Sequence, residues 1–546
     1  MRRANALRGA PELVTWRWCF LAALALCSSA WGLVQAATPD ASIRSVCTNT
    51  CNLARNGVCE EGRAGPGQQL TDSAIVYCDL GTDCDDCGPW NTTAPAAATY
   101  WEDTKKAGPI RWLRAREAQV RVKPAGLGEV LPFDLLFAYT DPGKDVDVSY
   151  YMESMGMVEP KITKIFYRIL KDRCVRPDGG RELVVDVGAN FGWFALVAAR
   201  MGCRVIAYEP VPLFHWFLEY NVHINDFATR IEIRSKIVSH EAGKALTMVV
   251  PSDGIWGTAG IGGHNIDKSM EGKKYEIDVP SVRLEDEVQE DVLLMKVDVE
   301  GWEWAVLQGA EGLLSKFNVE NVVMEYSPGV AERQRDYAAL NATVRMLVDL
   351  LGRHGYRLGH IGDARVLREA FDQPVKPMRE ITLDNLKYDA EDVRLRRERQ
   401  LAKERMGGGA PRCGLAPELL ALWGACFSSP ESLSPRSLRS ELDHNTNVWA
   451  VKGRSTPLLA LEGVVGILDP NDPPTKYTQT NALDVGMGAR HCRQLGPKVQ
   501  VRHRCRCSDA DVCGPEQALV ERLAASLGAI PQNYVLGDAR QALGLK

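Results

Sequence analysis

The 546-residue sequence predicts an α/β fold: a doubly wound, mostly parallel sheet with helices on both faces, flanked by two disulfide-rich regions. Three observations predict it. Between residues 183 and 325, short apolar runs of strand length alternate with longer runs of helical period, the pattern of successive β-α-β units. One apolar run ends in Asp186-Val187-Gly188-Ala189-Asn190-Phe191-Gly192 and opens a helix, the kind of turn at which open α/β sheets receive ligands. The 16 cysteines are grouped, six from 47 to 87, two at Cys174 and Cys203, and six from 413 to 513, with Cys19 and Cys27 in the leader. Even groups of this kind read as disulfide frameworks in a secretory chain.

Composition bounds the rest. With 45% hydrophobic and 25% charged residues the chain is of soluble globular type, and its length suggests roughly two to four domains. A formal net charge of −5 excludes the basic excess of a nucleic-acid-binding surface. At the N-terminus, Arg2, Arg3, Arg8 and Arg17 precede an uncharged run from Trp18 to Ala37, with Val34-Gln35-Ala36 as a candidate cleavage site. Residues 1–37 therefore predict a signal peptide or an uncleaved signal anchor. The remainder is expected in the ER or Golgi lumen, secreted, or held there by a single-pass type II anchor. Asn91-Thr92-Thr93 and Asn341-Ala342-Thr343 are candidate N-glycosylation sites.

Along the chain, residues 45–90 read as a cysteine-rich disulfide module, too poor in apolar residues to bury a core. Residues 91–110 read as a linker. The α/β domain occupies 111–388, led in by a helix at about 160–172. Its strands are placed at 183–187, 204–209, 231–238, 292–299 and 319–325, and its helices at 192–201, 213–225 and 302–314. The Gly-rich insert at 251–278 is read as a loop over the carboxyl edge of the sheet. Residues 389–411 form a charged linker, and 412–546 a cysteine-containing C-terminal domain whose fold the sequence leaves open.

The ligand turn lacks the G-x-G-x-x-G spacing that cradles a pyrophosphate, and it carries an acidic residue, Asp186. The next strand ends at Glu209, where a carboxylate can accept from both ribose hydroxyls. A cationic, adenosine-bearing cofactor, S-adenosylmethionine, fits that pair. The successive segments VVDVGANFGWFALVAA, AYEPVPLFHWFLEYNVHIN, LLMKVDVEGWEWAVLQGA and VVMEYSPG resemble the ordered motifs of the FkbM-type methyltransferases, over about residues 150–388. The resemblance implies a class I Rossmann-like fold and S-adenosylmethionine-dependent O-methylation. It makes Asp186, Gly188, Asn190 and Gly192 the cofactor loop and Glu209 the ribose acceptor, and it places Ser239, after Ile237-Val238, near the adenine. Asn221 and Asn225 match the family's two helix asparagines, as ligand contacts or as plain helix-surface polar groups.

Methyl transfer to a hydroxyl needs an in-line approach and a base. Asp298 and Glu325 end two strands, and Glu300 opens the turn that Gly301 permits. Either Asp298 is the base, or Asp298 and Glu325 hold a divalent cation, Mg²⁺ or Ca²⁺, that grips the acceptor. Glu303 is read as a cap of the following helix, with Glu300 divided between cap and site. His264 in the insert is a further candidate base. His215 and His223 are read as packing or surface residues, and Trp256 as a sugar-stacking or packing ring. Trp302 and Trp304, after Gly301, depart from the commoner family pattern. The N-terminal cysteines, with Asn56-Gly57 and Asp79, Asp83, Asp85 and Asp86, resemble Lin-12/Notch-type repeats, whose implied calcium is weighed against a module held by disulfides alone. Cys174 and Cys203 read as a bridge or as two buried thiols.

The function expected is methylation of a sugar or glycan hydroxyl in the secretory pathway. The alternatives are a non-catalytic scaffold with a degenerate methyltransferase fold and, more remotely, an NAD-type oxidoreductase that lacks the dinucleotide glycines.

Overall fold

The computed structural model describes residues 43–103, 105–125, 134–266, 273–361, 379–383, 385–386 and 446–452. Two compact units divide the chain, Met1–Arg44 and Ser45–Lys546; the first is described only at residues 43–44, and the architecture below is that of the second. The leader 1–37, the charged segment 389–411 and the six cysteines from Cys413 to Cys513 lie outside the described residues. Among the described residues no helix is long and apolar enough to cross a membrane.

The cysteine-rich segment is tied by Cys47–Cys84, Cys51–Cys78 and Cys59–Cys87, joining first to fifth, second to fourth and third to sixth. It carries β1 (Arg44–Val46), β2 (Ala74–Val76) and β3 (Trp90–Thr92), with β1 paired to β3. Its acidic residues are engaged by the chain itself. Asp86 accepts from the backbone N–H groups of Arg55, Asn56 and Gly57, and Asp79 accepts from Ile110 N at 2.7 Å, at the start of the helix Pro109–Arg114.

The expected linker at 91–110 is instead packed structure. Trp101 is buried, donates its indole N–H to Leu80 O at 3.0 Å and lies 4.8 Å from the His223 ring. Thr92 and Thr93 both donate to Asp226 of the α/β domain. So small a segment gains a core by sharing one: Val46, Val76, Leu80, Trp90 and Trp101 belong to the same apolar cluster as Phe217, Tyr220 and Val222. β2 also pairs with β4 (Val120–Ala125), which pairs with β5 (Leu135–Tyr139).

The main sheet has eight strands. Its parallel part begins with β6 (Leu183–Val187), β7 (Arg204–Tyr208) and β8 (Ile231–Arg234) and is continued on the other side of β6 by Val292–Val297 and Val319–Tyr326. A second sheet takes β9 (Ile237–Val238), β10 (Ala245–Pro251), β11 (Gly260–Ile261) and β12 (Lys274–Val282). The chain then returns to the main sheet as β13 (Val292–Val297), β14 (Val319–Tyr326), β15 (Tyr356–Ile361), β16 (Arg379–Ile381) and β17 (Thr446–Lys452), in the order β16-β15-β17-β14-β13-β6-β7-β8. The strand order reverses between β6 and β13, which opens a crevice at their carboxyl ends.

Two sequence readings are corrected here. The run 231–238 is broken at Ser235-Lys236, so that Ile237 and Val238 turn away to pair with β12. The insert at 251–278 is not all loop: it carries β11 and the first half of β12, which pair with β10 as antiparallel sheet. β17 lies in the stretch for which the sequence showed no fold; it is antiparallel to both β14 and β15 and integral to the main sheet.

Strand alternation sorts the core. Val185, Val187, Ile206, Met295 and Met324 face one apolar cluster, while Val184, Val205, Leu294 and Val323 face the other, which includes the helix Trp193–Arg200. Cys174 and Cys203 are bridged, with α-carbons 4.4 Å apart. The helix Pro212–Ile224 is docked by the two asparagines. Asn221 accepts from Ala138 N at 2.6 Å and donates to Ala138 O and Phe191 O, while Asn225 accepts from Leu136 N at 2.9 Å and donates to Leu136 O. Two carboxamides one helical turn apart thus complete the hydrogen bonding of alternate residues of β5. Neither is a plain surface residue, and Asn221 holds the ligand turn through Phe191.

Candidate active site

On one face of the main sheet the residues in phase with Val184, Val205, Leu294 and Val323 become polar toward the carboxyl edge: Asp186, Glu209, Lys296, Asp298 and Glu325. A cavity of about 250 Å³ opens there, lined among others by Gly188, Asn190, Glu209, Lys296, Asp298, Glu300 and Glu325. The parallel sheet places these side chains together although they lie far apart in sequence.

The β6 turn forms one end. Gly188 and Asn190 line it in left-handed conformation, at φ +82° and +52°, and Gly192, at φ +92°, precedes the helix Trp193–Arg200. Glu209 joins the two turns: its carboxylate accepts from Asn190 N at 2.7 Å and from Val211 N at 2.8 Å. Burial pushes the Glu209 carboxyl up to about 8 despite those donors. Ile237 and Val238 also line this end, whereas Ser239 is buried outside the lining, 3.3 Å from the Trp302 indole nitrogen. Asp186 is likewise beneath the cavity rather than in its wall. It is fully buried, and neither of its oxygens has a hydrogen-bond partner among the described residues. Burial raises its carboxyl to about 6, with the Lys296 ammonium opposing.

The other end is acidic. Asp298, Glu300 and Glu325 each bring a carboxylate oxygen within 4.8 Å of the others. Lys296 Nζ contacts Asp298 Oδ2 at 2.9 Å and sits 4.8 Å from the centre of the Phe194 ring. Burial works against the Lys296 charge, but the carboxylates of Asp298, Asp186 and Glu159 hold its pKa above the ordinary value. Glu303 stays out of the cluster: it is buried and accepts from Val299 N at 3.1 Å and Gly301 N at 3.0 Å. The helix Glu303–Gln308 has no side-chain cap hydrogen bond at Trp302; in place of the cap read from the sequence, Glu303 braces the preceding turn, the one that presents Asp298 and Glu300. Glu300 belongs to the cluster and receives a hydrogen bond from Asn265. Burial first, then neighbouring carboxylates, raise Glu300 and Glu325 well above the usual range.

His264 lies outside the cavity lining; its backbone carbonyl accepts from Gln334. Trp256 packs under the insert, 6.1 Å from Phe214 in a stacked arrangement, and does not line the cavity. His215 approaches Ser235 Oγ at 3.0 Å, and His223 is buried against Trp101. Among the lining residues not singled out in the sequence are Asp147, Tyr151 and Glu159 from the lead-in segment, and Asn447 from β17. Asp147 is raised to about 8, first by burial and then by Asp145 and Glu159.

These shifts set the sign of the pH dependence. Asp79 and Asp186, both near 6, Glu303 near 7, and Asp147 and Glu209 near 8 all lie above their ordinary values. The native state therefore holds more protons than the unfolded chain between about pH 4 and about pH 8. The associated stability is full below that window and is lost as pH rises through it. The melting temperature is expected to be higher at about pH 5 than at about pH 8. Scanning calorimetry of the apo protein checks this, and a melting temperature that rises with pH would contradict the burial of these groups.

Residues 186–358 match the family model for the methyltransferase FkbM domain. Methyltransferase sdnD of Sordaria araneosa is 26% identical over 209 residues, 33% of this chain and 78% of that protein. Among solved structures, methyltransferase FkbM from Methylobacillus flagellatus KT is similar at 19% identity and TM-score 0.22, over 34% of this chain and 40% of that one. The O-methyltransferase from Bacillus cereus in complex with SAH is similar at 12% identity and TM-score 0.21, over 35% of this chain and 67% of that one. The first of these structures is thus spanned over less than half its length. The segment that matches the methyltransferase FkbM domain model, residues 186–358, carries most of the strands and turns that build the cavity.

Proposed function

We propose that this chain is an S-adenosylmethionine-dependent O-methyltransferase of the secretory pathway that methylates a hydroxyl of a sugar or glycan. The observation that carries the reading is the meeting, in one cavity, of the Gly188–Asn190 turn and Glu209 with the carboxylates of Asp298, Glu300 and Glu325. The turn and Glu209 suit a cofactor whose ribose needs an acceptor and which has no phosphates to bind. Bound there, the cofactor supplies an electrophilic methyl group. Asp298 receives the acceptor's proton, held in place by Lys296. Four disulfides suit an oxidising compartment, whether reached by secretion or by a membrane anchor within residues 1–37.

A divalent cation belongs to the same reading. Asp298, Glu300 and Glu325 form an oxygen donor set that fits Mg²⁺ or Ca²⁺, and Glu325 Oε2 is buried with no partner among the described residues. Such an ion would hold the acceptor's hydroxyls. The test is calorimetric titration of the full chain with S-adenosylmethionine, followed by labelled cofactor and a glycan panel with and without chelator. No binding at about 1 mM cofactor, a free energy of about −4 kcal/mol, would sink the reading. Label on glycans that chelator removes is the result expected.

A further inference from the structure

Asn447 reaches the cavity from β17, far along the chain from the residues it joins. In the antiparallel ladder it stands directly opposite Glu325 of β14, so the two side chains emerge on the same face, and both line the cavity. The register that puts it there is pinned from within. Trp449, two residues on and fully buried, donates its indole N–H to Asn321 Oδ1 at 3.1 Å, and Asn321 donates to Leu293 O at 2.9 Å. Lys452 fastens the strand's other end through Leu314 O at 2.8 Å. A slip of one residue would carry Trp449 to the opposite core face, where Val448 and Ala450 are buried, and turn Asn447 away from the site. The amide delivered with this care has no protein hydrogen bond among the described residues.

Resting on the methyl-transfer reading above, we propose that Asn447 binds the acceptor, its carboxamide hydrogen-bonding a hydroxyl of a polyhydroxylated substrate beside Glu325. A carboxamide offers both a donor and an acceptor, the complement of a hydroxyl, and it is neutral where Asp298, Glu300 and Glu325 are acidic. Its place on the sheet assigns it to the acceptor rather than the donor. β14 and β13 separate β17 from β6, a distance of about 14 Å at the usual strand spacing. The cofactor turn is therefore out of its reach, while Glu325 is its direct neighbour. Asn447 also lies outside the matched segment 186–358, so the strand that follows the domain supplies part of its acceptor wall.

The experiment compares wild type, Asn447→Ala and Asn447→Asp as full chains. S-adenosylmethionine affinity is read by calorimetry, and methyl transfer by labelled cofactor over a panel of glycans and simple alcohols. Expected are unchanged cofactor affinity and melting temperature, with the acceptor KM raised about tenfold in Asn447→Ala and kcat within about threefold. In Asn447→Asp, which places another carboxylate opposite Glu325, the acceptor KM is expected to rise at least as far. A tenfold loss of cofactor affinity in Asn447→Ala would overturn the assignment, because it would put Asn447 at the donor end. An acceptor KM equal to wild type would overturn it also. A wild-type chain that binds the cofactor but labels simple alcohols and no glycan would refute the sugar reading and leave the test of Asn447 to the alcohol KM. Should no acceptor be labelled at all, the cofactor arm alone decides it.

Discussion

Gly188→Ala is expected to abolish cofactor binding and to lower the melting temperature by several degrees. Gly188 sits at φ +82°, and a Cβ built on it would stand 1.9 Å from the carbonyl oxygen of Asp298 and 3.0 Å from its carbonyl carbon. Both atoms are backbone, so no side-chain rotation relieves the contact. The two turns are held together by the strands behind them, with Val187 opposite Val297 and Asp298 N bonded to Val187 O at 3.0 Å. To admit the methyl group, the ends of β6 and β13 must part, and these ends carry the two sides of the site. Left-handed strain and overpacking together cost about 3 kcal/mol, enough to shift the transition by several degrees.

Gly243→Ala provides the control. That residue has φ +75° and nothing within 4 Å of a built Cβ, so it bears only the conformational cost of about 1 kcal/mol. Calorimetric titration and thermal unfolding of the two variants separate crowding from conformation. If Gly188→Ala bound the cofactor as Gly243→Ala does, the close crossing of the two turns would not matter to the site.

The parts of the site that were legible in the sequence are those carried by strand ends. Leu183–Val187 is apolar but for Asp186 and begins and ends as the sequence places it, because a strand buried on both faces reads as a near-continuous apolar run. Glu209, Asp298 and Glu325 were legible for the same reason, each being the first polar residue after such a run or within two of it. Asn221 and Asn225 were not, because their partners are backbone atoms of Leu136 and Ala138, and nothing local to a helix announces a distant strand. β17 was missed because seven residues with an apolar centre specify a strand but not its neighbours. β12 did carry a signal: Tyr275, Ile277 and Val279 alternate with polar residues, but the glycines before it drew the whole insert into a loop. His264 was drawn into the candidate set by its chemistry alone, and its position denies it the role. Asp147 and Glu159 carried no signal, since an ordinary carboxylate acquires its meaning only when folding brings four others to the same cavity.

Asp298→Asn is expected to reduce turnover by about 10²- to 10⁴-fold while leaving cofactor affinity unchanged. The substitution keeps the shape of the side chain and an oxygen that can still accept from Lys296, now 2.9 Å away, so the turn between β13 and the helix Glu303–Gln308 is retained. Glu303, which bonds Val299 N and Gly301 N, holds that turn independently of Asp298. What is lost is the negative charge that, in the reading proposed above, takes up the hydroxyl proton and, in the cation reading, one of three oxygen ligands. Asp186→Ala is the contrasting variant. Its carboxylate lies fully buried behind the cofactor turn, opposite Lys296 across the β6–β13 pairing. Removing it leaves the Lys296 ammonium with one fewer counter-charge directly under the donor end, and cofactor binding is expected to be lost. Titration of both variants with S-adenosylmethionine, alongside single-turnover transfer to the best acceptor, measures the division. Equal loss of cofactor affinity in the two would place Asp298 with the donor and remove it as the base. Retained turnover in Asp298→Asn would pass that role to Glu300 or Glu325, the two other carboxylates within reach.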